Sequence, residues 1–269
     1  KRQVVNAHDH IYKQSHLDKY LKAAERTGVT RTLFVASSAR TILGSTGEKD
    51  AMNDENSREI MNMARQYPDK IIPFCTIYPR DPDKLEKVKR YVADGAKGLK
   101  LYSGHSSFHE RPLDVDDMLP VYAYCERAGV PIVWHINLRR YRDEFRRVME
   151  RFPNLRVIVP HFGQAYWRPE RELPWLAELI DTYPNLYTDT SLGTREILVG
   201  GLRSVSNNRD LFREFCTRYS DRILFGTDMV VTGNKEKTAE WIEAVIRACR
   251  DMLEKDAVSY THLRAHETS

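Results

Sequence analysis

Short apolar runs recur along this chain. Each is followed by a stretch whose apolar positions repeat every three or four residues. The runs predict strands and the stretches predict helices. Val4 to His10 is the first strand, and Leu17, Tyr20, Leu21 and Ala24 mark a helix over 16–27. Arg31 to Ser37 is the second strand, followed by a polar loop or lid from Ser38 to Asn56 and a helix over 53–67. Lys70 to Tyr78 is the third, with a helix opening at Pro82 and running through Asp94. Ala96 to Ser103 is the fourth. A polar loop with His105 and His109 follows it, then a helix from Val115 to Ala128 that Gly129 caps. Pro131 to Asn137 is the fifth, with a helix over 141–151, and Arg156 to Gly163 is the sixth. An insertion from Gln164 to Pro174 leads to a helix at Trp175 to Thr182. Leu186 to Ser191 is the seventh strand, and 193–219 is helical in two pieces. Arg222 to Met229 is the eighth, and a closing helix runs from Lys235 to Asp256.

Strands alternating with helices favour a parallel sheet. Eight such units within roughly 250 residues predict an α/β fold, a single closed (β/α)8 TIM barrel. The rival is a doubly wound open sheet, which would usually carry a Gly-rich phosphate loop after strand one. Asn6-Ala7-His8-Asp9-His10 stands there instead.

Composition narrows the reading. The chain has 269 residues, 41% of them hydrophobic, which suits one large domain. The domain is expected over 1–256. Residues 257–269 have no apolar period and are expected to be a non-native or disordered tail, so His262 and His266 are set aside. The net charge of +4 is small and scattered, which argues against a nucleic-acid partner. Arg139, Arg140, Arg142, Arg146 and Arg147 cluster locally. A solvated helix face is the simpler explanation, and anion attraction toward a nearby site is the other. Cys75, Cys125, Cys216 and Cys249 are widely spaced and fit reduced, buried thiols. No apolar run approaches the roughly 20 residues that span a bilayer, and no signal peptide precedes the first strand. A cytoplasmic location is expected.

The candidate chemistry lies at the strand ends. Alternation puts His8 and His10 on one side of strand one. Strand four supplies Lys100, strand five His135, strand six His161 and strand eight Asp228. In a barrel these ends converge on one mouth. Each residue also has a bland explanation. His8 and His10 could belong to a polar turn, His135 could be a satisfied core histidine, and His161 could cap a strand end. Asp228 could be a helix N-cap, and Lys100 could be a surface lysine, although alternation sets it with Gly98 and Tyr102, opposite Leu99 and Leu101. Together the set fits one divalent metal. Neutral imidazoles with a carboxylate suit zinc first, with manganese or iron as alternatives. Such a metal activates water, and Asp228 could be both ligand and base. His161 could polarise a carbonyl or shuttle a proton. Lys100 could bind a substrate carboxylate or, if carbamylated, bridge two metals.

The stretches NAHDH at 6–10, GAKGLKLYS at 95–103, GVPIVWHIN at 129–137, FPNLRVIVPHFG at 152–163, YPNLYTDTS at 183–191 and RILFGTDM at 222–229 resemble the amidohydrolase superfamily. The likeness is to its amidohydrolase-related branch, which includes metal-dependent hydrolases and the aminocarboxymuconate-semialdehyde and resorcylate decarboxylases. The resemblance implies metal ligands at His8, His10, His135 and Asp228, with Asp228 also moving protons. It implies a catalytic or second-metal role for His161 and a substrate-side role for Lys100. Members usually continue past the closing helix with another helical segment, where this chain has its tail. Loops 38–56, 104–112 and 164–174 match no pattern that names a substrate.

The expected activity is metal-dependent hydrolysis of a carbonyl, ester, lactone or amide in a small, carboxylated substrate. The first alternative is a non-oxidative decarboxylase of an aromatic or muconate-like acid. The second is a non-catalytic ligand-binding barrel, with Trp134, Trp167 and Trp175 as pocket walls rather than packing. The expected partner is a small molecule, with neither nucleic acid nor membrane, and self-association is possible.

Overall fold

The computed structural model describes residues 3–37, 53–104, 111–193 and 196–255. The tail at 257–269, most of the 38–56 loop, and His105 and His109 lie outside the described residues. The strands are β1 (Val4–Ile11), β2 (Val29–Val35), β3 (Ile71–Thr76), β4 (Gly98–Ser103) and β5 (Ile132–Ile136). They continue with β6 (Val157–Val159), β7 (Leu186–Asp189), β8 (Ile223–Leu224) and β9 (Val230–Val231). The helices between β1 and β5 are α1 (Leu17–Thr27), α2 (Asn53–Gln66), α3 (Lys84–Ala93) and α4 (Leu119–Ala128). After β5 come α5 (Arg142–Arg151), α6 (Pro169–Thr182), α7 (Glu196–Asn207), α8 (Arg209–Arg218) and α9 (Ala239–Glu254).

All the strands are parallel, and the sheet runs β8-β7-β6-β5-β4-β3-β2-β1-β9. β8 pairs with β7 at one end and β9 pairs with β1 at the other. The residues between β8 and β9 close the ring. Ala7 N donates to Phe225 O at 2.7 Å, Asp228 N to His8 O at 2.7 Å and His10 N to Met229 O at 2.7 Å. The fold is the (β/α)8 barrel. The sequence reads strand eight as one run. Its interruption at 225–229 has a local cause, since Asp228 takes φ +55° and cannot continue a strand.

Strand alternation builds two apolar layers. Leu99, Leu101, Ile132, Trp134 and Ile136 face outward and pack beneath the helices. Leu33, Val35, Phe74, Val133 and Ile158 face inward and plug the barrel. Gly98 makes room for the plug, because a Cβ there would lie 2.1 Å from the Phe74 ring. Above the plug the inward positions turn polar, from Val133 to His135 on β5, from Tyr187 to Asp189 on β7, and from Gly98 to Lys100 on β4.

Helix α4 ends at Gly129 with φ +66°, as the sequence predicts. Helix α6 differs. It begins at Pro169 rather than Trp175, because proline suits a first helical turn, whose N–H groups lack intrahelical partners. The arginine cluster is engaged on the surface, where Arg139 pairs with Glu172, Arg146 with Glu178 and Arg147 with Asp114 at 3.0, 2.6 and 2.6 Å. Arg142 lies over the Trp175 ring at 4.6 Å. Trp134 is buried, donates to Ser103 Oγ at 2.9 Å and borders a cavity it shares with Tyr78, Leu101 and Met118, whereas Trp167 is 57% exposed. Among the described residues, no helix is long and apolar enough to cross a membrane.

Candidate metal centre

His8 and His10 project from the same face of β1 into the C-terminal mouth of the barrel, and both are buried. The hydrogen positions on their rings follow from their partners. His8 Nδ1 lies 2.8 Å from Asp189 Oδ2, and a carboxylate oxygen only accepts, so Nδ1 carries the hydrogen. His10 Nδ1 lies 2.9 Å from the Val35 carbonyl, which also only accepts. Ser37 Oγ stands 2.7 Å from the same His10 nitrogen and hydrogen-bonds to the Tyr102 hydroxyl. Each neutral ring therefore presents its Nε2 lone pair to the centre.

Both lone pairs meet Asp228, with His8 Nε2 3.3 Å and His10 Nε2 3.1 Å from its Oδ1. Burial pushes His8 down to about 4, with the Lys100 charge adding to the effect, and burial also lowers His10. Burial works against ionisation of Asp228, and positive charge at His8, His10 and His161 would hold it well below the usual carboxylate range; with those rings neutral, a cation has to take that part. At neutral pH two lone pairs and one carboxylate oxygen thus face one another with no hydrogen between them. Such a trio repels unless a cation sits among them, and nitrogen–nitrogen–oxygen donors suit a divalent ion. His8, His10 and Asp228 form one group close enough to hold a metal, and His8, His161 and Asp189 form another. Lys100, fully buried inside the barrel, already answers part of the demand. Its Nζ lies 3.3 Å from His8 Nε2 and 4.7 Å from the Tyr102 ring centre. Burial pushes this lysine down to about 8, while Asp228 and Asp189 oppose the shift.

His161 and His135 lie beside the trio. His161 Nε2 is 3.7 Å from Asp228 Oδ2 and 3.1 Å from His135 Nδ1. Its Nδ1 faces Ser191 Oγ at 2.8 Å and the Ser191 carbonyl at 3.2 Å. The second nitrogen of His135, Nε2, is 3.1 Å from Gln164 Nε2. The backbone here is unusual, because His161, Phe162, Gly163 and Gln164 have φ of 63, 50, 61 and 67°, one left-handed turn. Left-handed backbone costs about 1–2 kcal/mol for each non-glycine residue. The turn is held by Phe162, whose ring packs 5.3 Å from that of Phe212, and by Asp189 Oδ1, which accepts from His161 N at 3.0 Å. It also explains why β6 stops at Val159 and not at Gly163, where the sequence places the strand end.

Asp9 points the other way, between β1 and α1, and is buried. Its carboxylate accepts from Tyr20 at 2.6 Å, Asn6 at 2.7 Å, Met229 N at 2.8 Å and the Thr227 hydroxyl. Thr227 and Met229 flank Asp228, so this buried carboxylate fixes the turn that presents the carboxylate facing His8 and His10. Burial pushes Asp9 up to about 7 against those donors.

The structure therefore gathers His8, His10, Asp228, Lys100 and His161. His135 touches the group through His161, with Gln164 at its other nitrogen and the Tyr102 ring 6.1 Å away. Sequence reasoning assigned no role to Asp189, Ser191, Asp9 or Gln164. Asp189 was accessible, since it ends β7 just as Asp228 follows β8, and the strand-end rule applies to both. Gln164 was not, because no local pattern announces a left-handed turn.

A family model described as amidohydrolase matches residues 5–255. A dihydroorotase from Pseudomonas fluorescens (strain Pf0-1) is 23% identical over 206 residues, covering 67% of this chain and 58% of that protein's length. An amidohydrolase from Burkholderia multivorans superposes with a TM-score of 0.63 at 10% identity, covering 99% of each chain. A 2,6-dihydroxybenzoate decarboxylase from Rhizobium superposes with a TM-score of 0.56 at 14% identity, covering 99% of this chain and 98% of the other. The structural likenesses speak for the barrel alone, but the family match runs through every strand, and this chain belongs to the amidohydrolase family.

Proposed function

We propose that the protein is a metal-dependent hydrolase that cleaves an ester, lactone or amide, or attacks another activated carbonyl, in a small carboxylated substrate. The observation that carries this reading is the convergence of the His8 and His10 lone pairs on Asp228 Oδ1. His8, His10 and Asp228 would hold one divalent ion, zinc by donor chemistry. A ligand role for His135 would require it to give up Gln164 at Nε2 or His161 at Nδ1. The bound ion would acidify a water and polarise the substrate carbonyl. Asp228 is the most accessible of the three, with 18% of its side chain exposed, and its Oδ2 points away from the two histidines toward His161. That oxygen would take the proton of the attacking water, and His161 Nε2 would pass it to the leaving group. Lys100, cationic and aimed at the same point, would hold a substrate carboxylate.

A decarboxylase is the second reading. The coupled His135–His161 pair offers a proton donor beside Asp228, which suits delivery of a proton to carbon. Elemental analysis of the purified chain beside a chelated control is the first test, with about one metal per chain expected. Absence of metal, with no gain of activity on adding it, would overturn both readings. Screens for hydrolysis and for CO₂ or bicarbonate release then separate them. Replacing His161 by Asn is expected to leave metal content unchanged and to lower turnover by about 10²–10⁴-fold. Loss of about half the metal would instead place His161 on a second ion.

A further inference from the structure

A cavity of about 230 Å³ lies between β4, β5 and the start of α4. Leu101 and Trp134 line it from their outward strand positions, so β4 stands between it and Lys100. Leu113, Met118 and Tyr122 complete the inner wall. The indole and phenol groups of that wall are already engaged, because Trp134 donates to Ser103 Oγ and Tyr122 to the Leu113 carbonyl, each at 2.9 Å. The floor offered to a ligand is therefore apolar and aromatic, with the Tyr122 and Trp134 ring centres 5.2 Å apart. An apolar cavity of roughly 150 Å³ accepts a benzene molecule, so this one holds a single substituted ring.

The rim is cationic. Arg80 and Arg111 border the cavity, and no acid does so among the described residues. Arg111 is tied to the Pro79 carbonyl at 2.9 Å and to Asp117 at 3.2 Å. Asp117 is shared with Lys84, whose Nζ lies 3.3 Å away, so one carboxylate answers two cations. Of the acids nearby in the chain, Asp81 is committed to Lys87 at 2.7 Å and Asp114 to Arg147 at 2.6 Å. Arg80 is exposed and forms no ion pair among the described residues. We propose that this cavity binds a small aromatic monocarboxylate, its ring against Trp134 and Tyr122 and its carboxylate on the Arg80 guanidinium. An arginine fork meets a carboxylate through two parallel hydrogen bonds. The apolar floor supplies most of the affinity, and the rim charge selects an acid over a neutral ring. The site is independent of the metal reading, although Tyr102 borders both, since it lines the cavity and its ring lies 4.7 Å from Lys100 Nζ.

Fluorine spectra of the full chain labelled with fluorotryptophan test this. The four tryptophans report separately, and Trp134→Phe assigns the resonance of interest. The protein is chelated and titrated with benzoate. The Trp134 resonance is expected to shift and saturate while those of Trp167, Trp175 and Trp241 hold still. Benzyl alcohol, the same ring without the charge, is expected to bind about tenfold more weakly. Arg80→Gln keeps the fold because the side chain is exposed, and is expected to raise the benzoate Kd about tenfold without changing that of benzyl alcohol. Met118→Phe fills the cavity and is expected to remove the response to both. A Trp134 resonance that benzoate does not move would overturn the proposal. So would a benzoate affinity unchanged by Arg80→Gln, which would place the acid at Lys100 instead.

Discussion

Asp228→Asn is expected to give a folded barrel that has lost turnover by at least about 10³-fold and no longer retains metal through dialysis. The substitution keeps the side-chain shape but removes the charge and places N–H groups where the His8 and His10 lone pairs meet an oxygen 3.3 and 3.1 Å away. The fold survives for two reasons. Asparagine tolerates the left-handed backbone that Asp228 adopts at φ +55°. The ring closure through Asp228 N and His8 O is a backbone bond, which the substitution does not touch. Circular dichroism, elemental analysis and turnover on the screened substrate read the three quantities separately. His8→Ala should lose turnover alike. Near-wild-type turnover in either variant would remove these residues from the site.

Asp9→Ala is expected to be the most destabilising single change, costing about 3–5 kcal/mol. It strips an acceptor from Tyr20, Asn6, Thr227 and the Met229 N–H, all buried. Each orphaned donor forfeits its partner without regaining water. For a chain of this size the melting temperature should fall by roughly 10 °C. The pH dependence has a definite sign. The folded-state value of about 7 lies above the ordinary carboxylate value, so the folded chain binds the extra proton between them. The contribution of the Asp9 proton is complete below the unfolded value and is lost as pH rises through about 7. The stability gap between wild type and Asp9→Ala, followed by urea unfolding of chelated protein, should therefore narrow from pH 4 toward neutrality. A gap that widens over that range would contradict the burial account.

The fold was legible because its signal is periodic. Inward and outward positions alternate on every long strand, and the expectation that Lys100 faces away from Leu99 and Leu101 holds, with the lysine inside and the leucines under the helices. The strand-end rule collected most of the polar residues at the mouth for the same reason. What escaped depends on non-repeating backbone. The β8–β9 interruption and the turn at 161–164 rest on positive φ, which leaves no periodic trace in composition. Asp9 escaped because it sits between two histidines that invite attention, while its own partners, Tyr20 and Thr227, are 11 and 218 residues away.

The interruption between β8 and β9 ties the proposed chemistry to the architecture. Residues 225–229 complete the barrel through Phe225, Asp228 and Met229, and the same stretch presents the carboxylate that faces His8 and His10. Mutational tolerance should therefore be lowest there. A substitution in those residues is screened for closure and for chemistry together, so variants that alter substrate choice must arise elsewhere around the mouth.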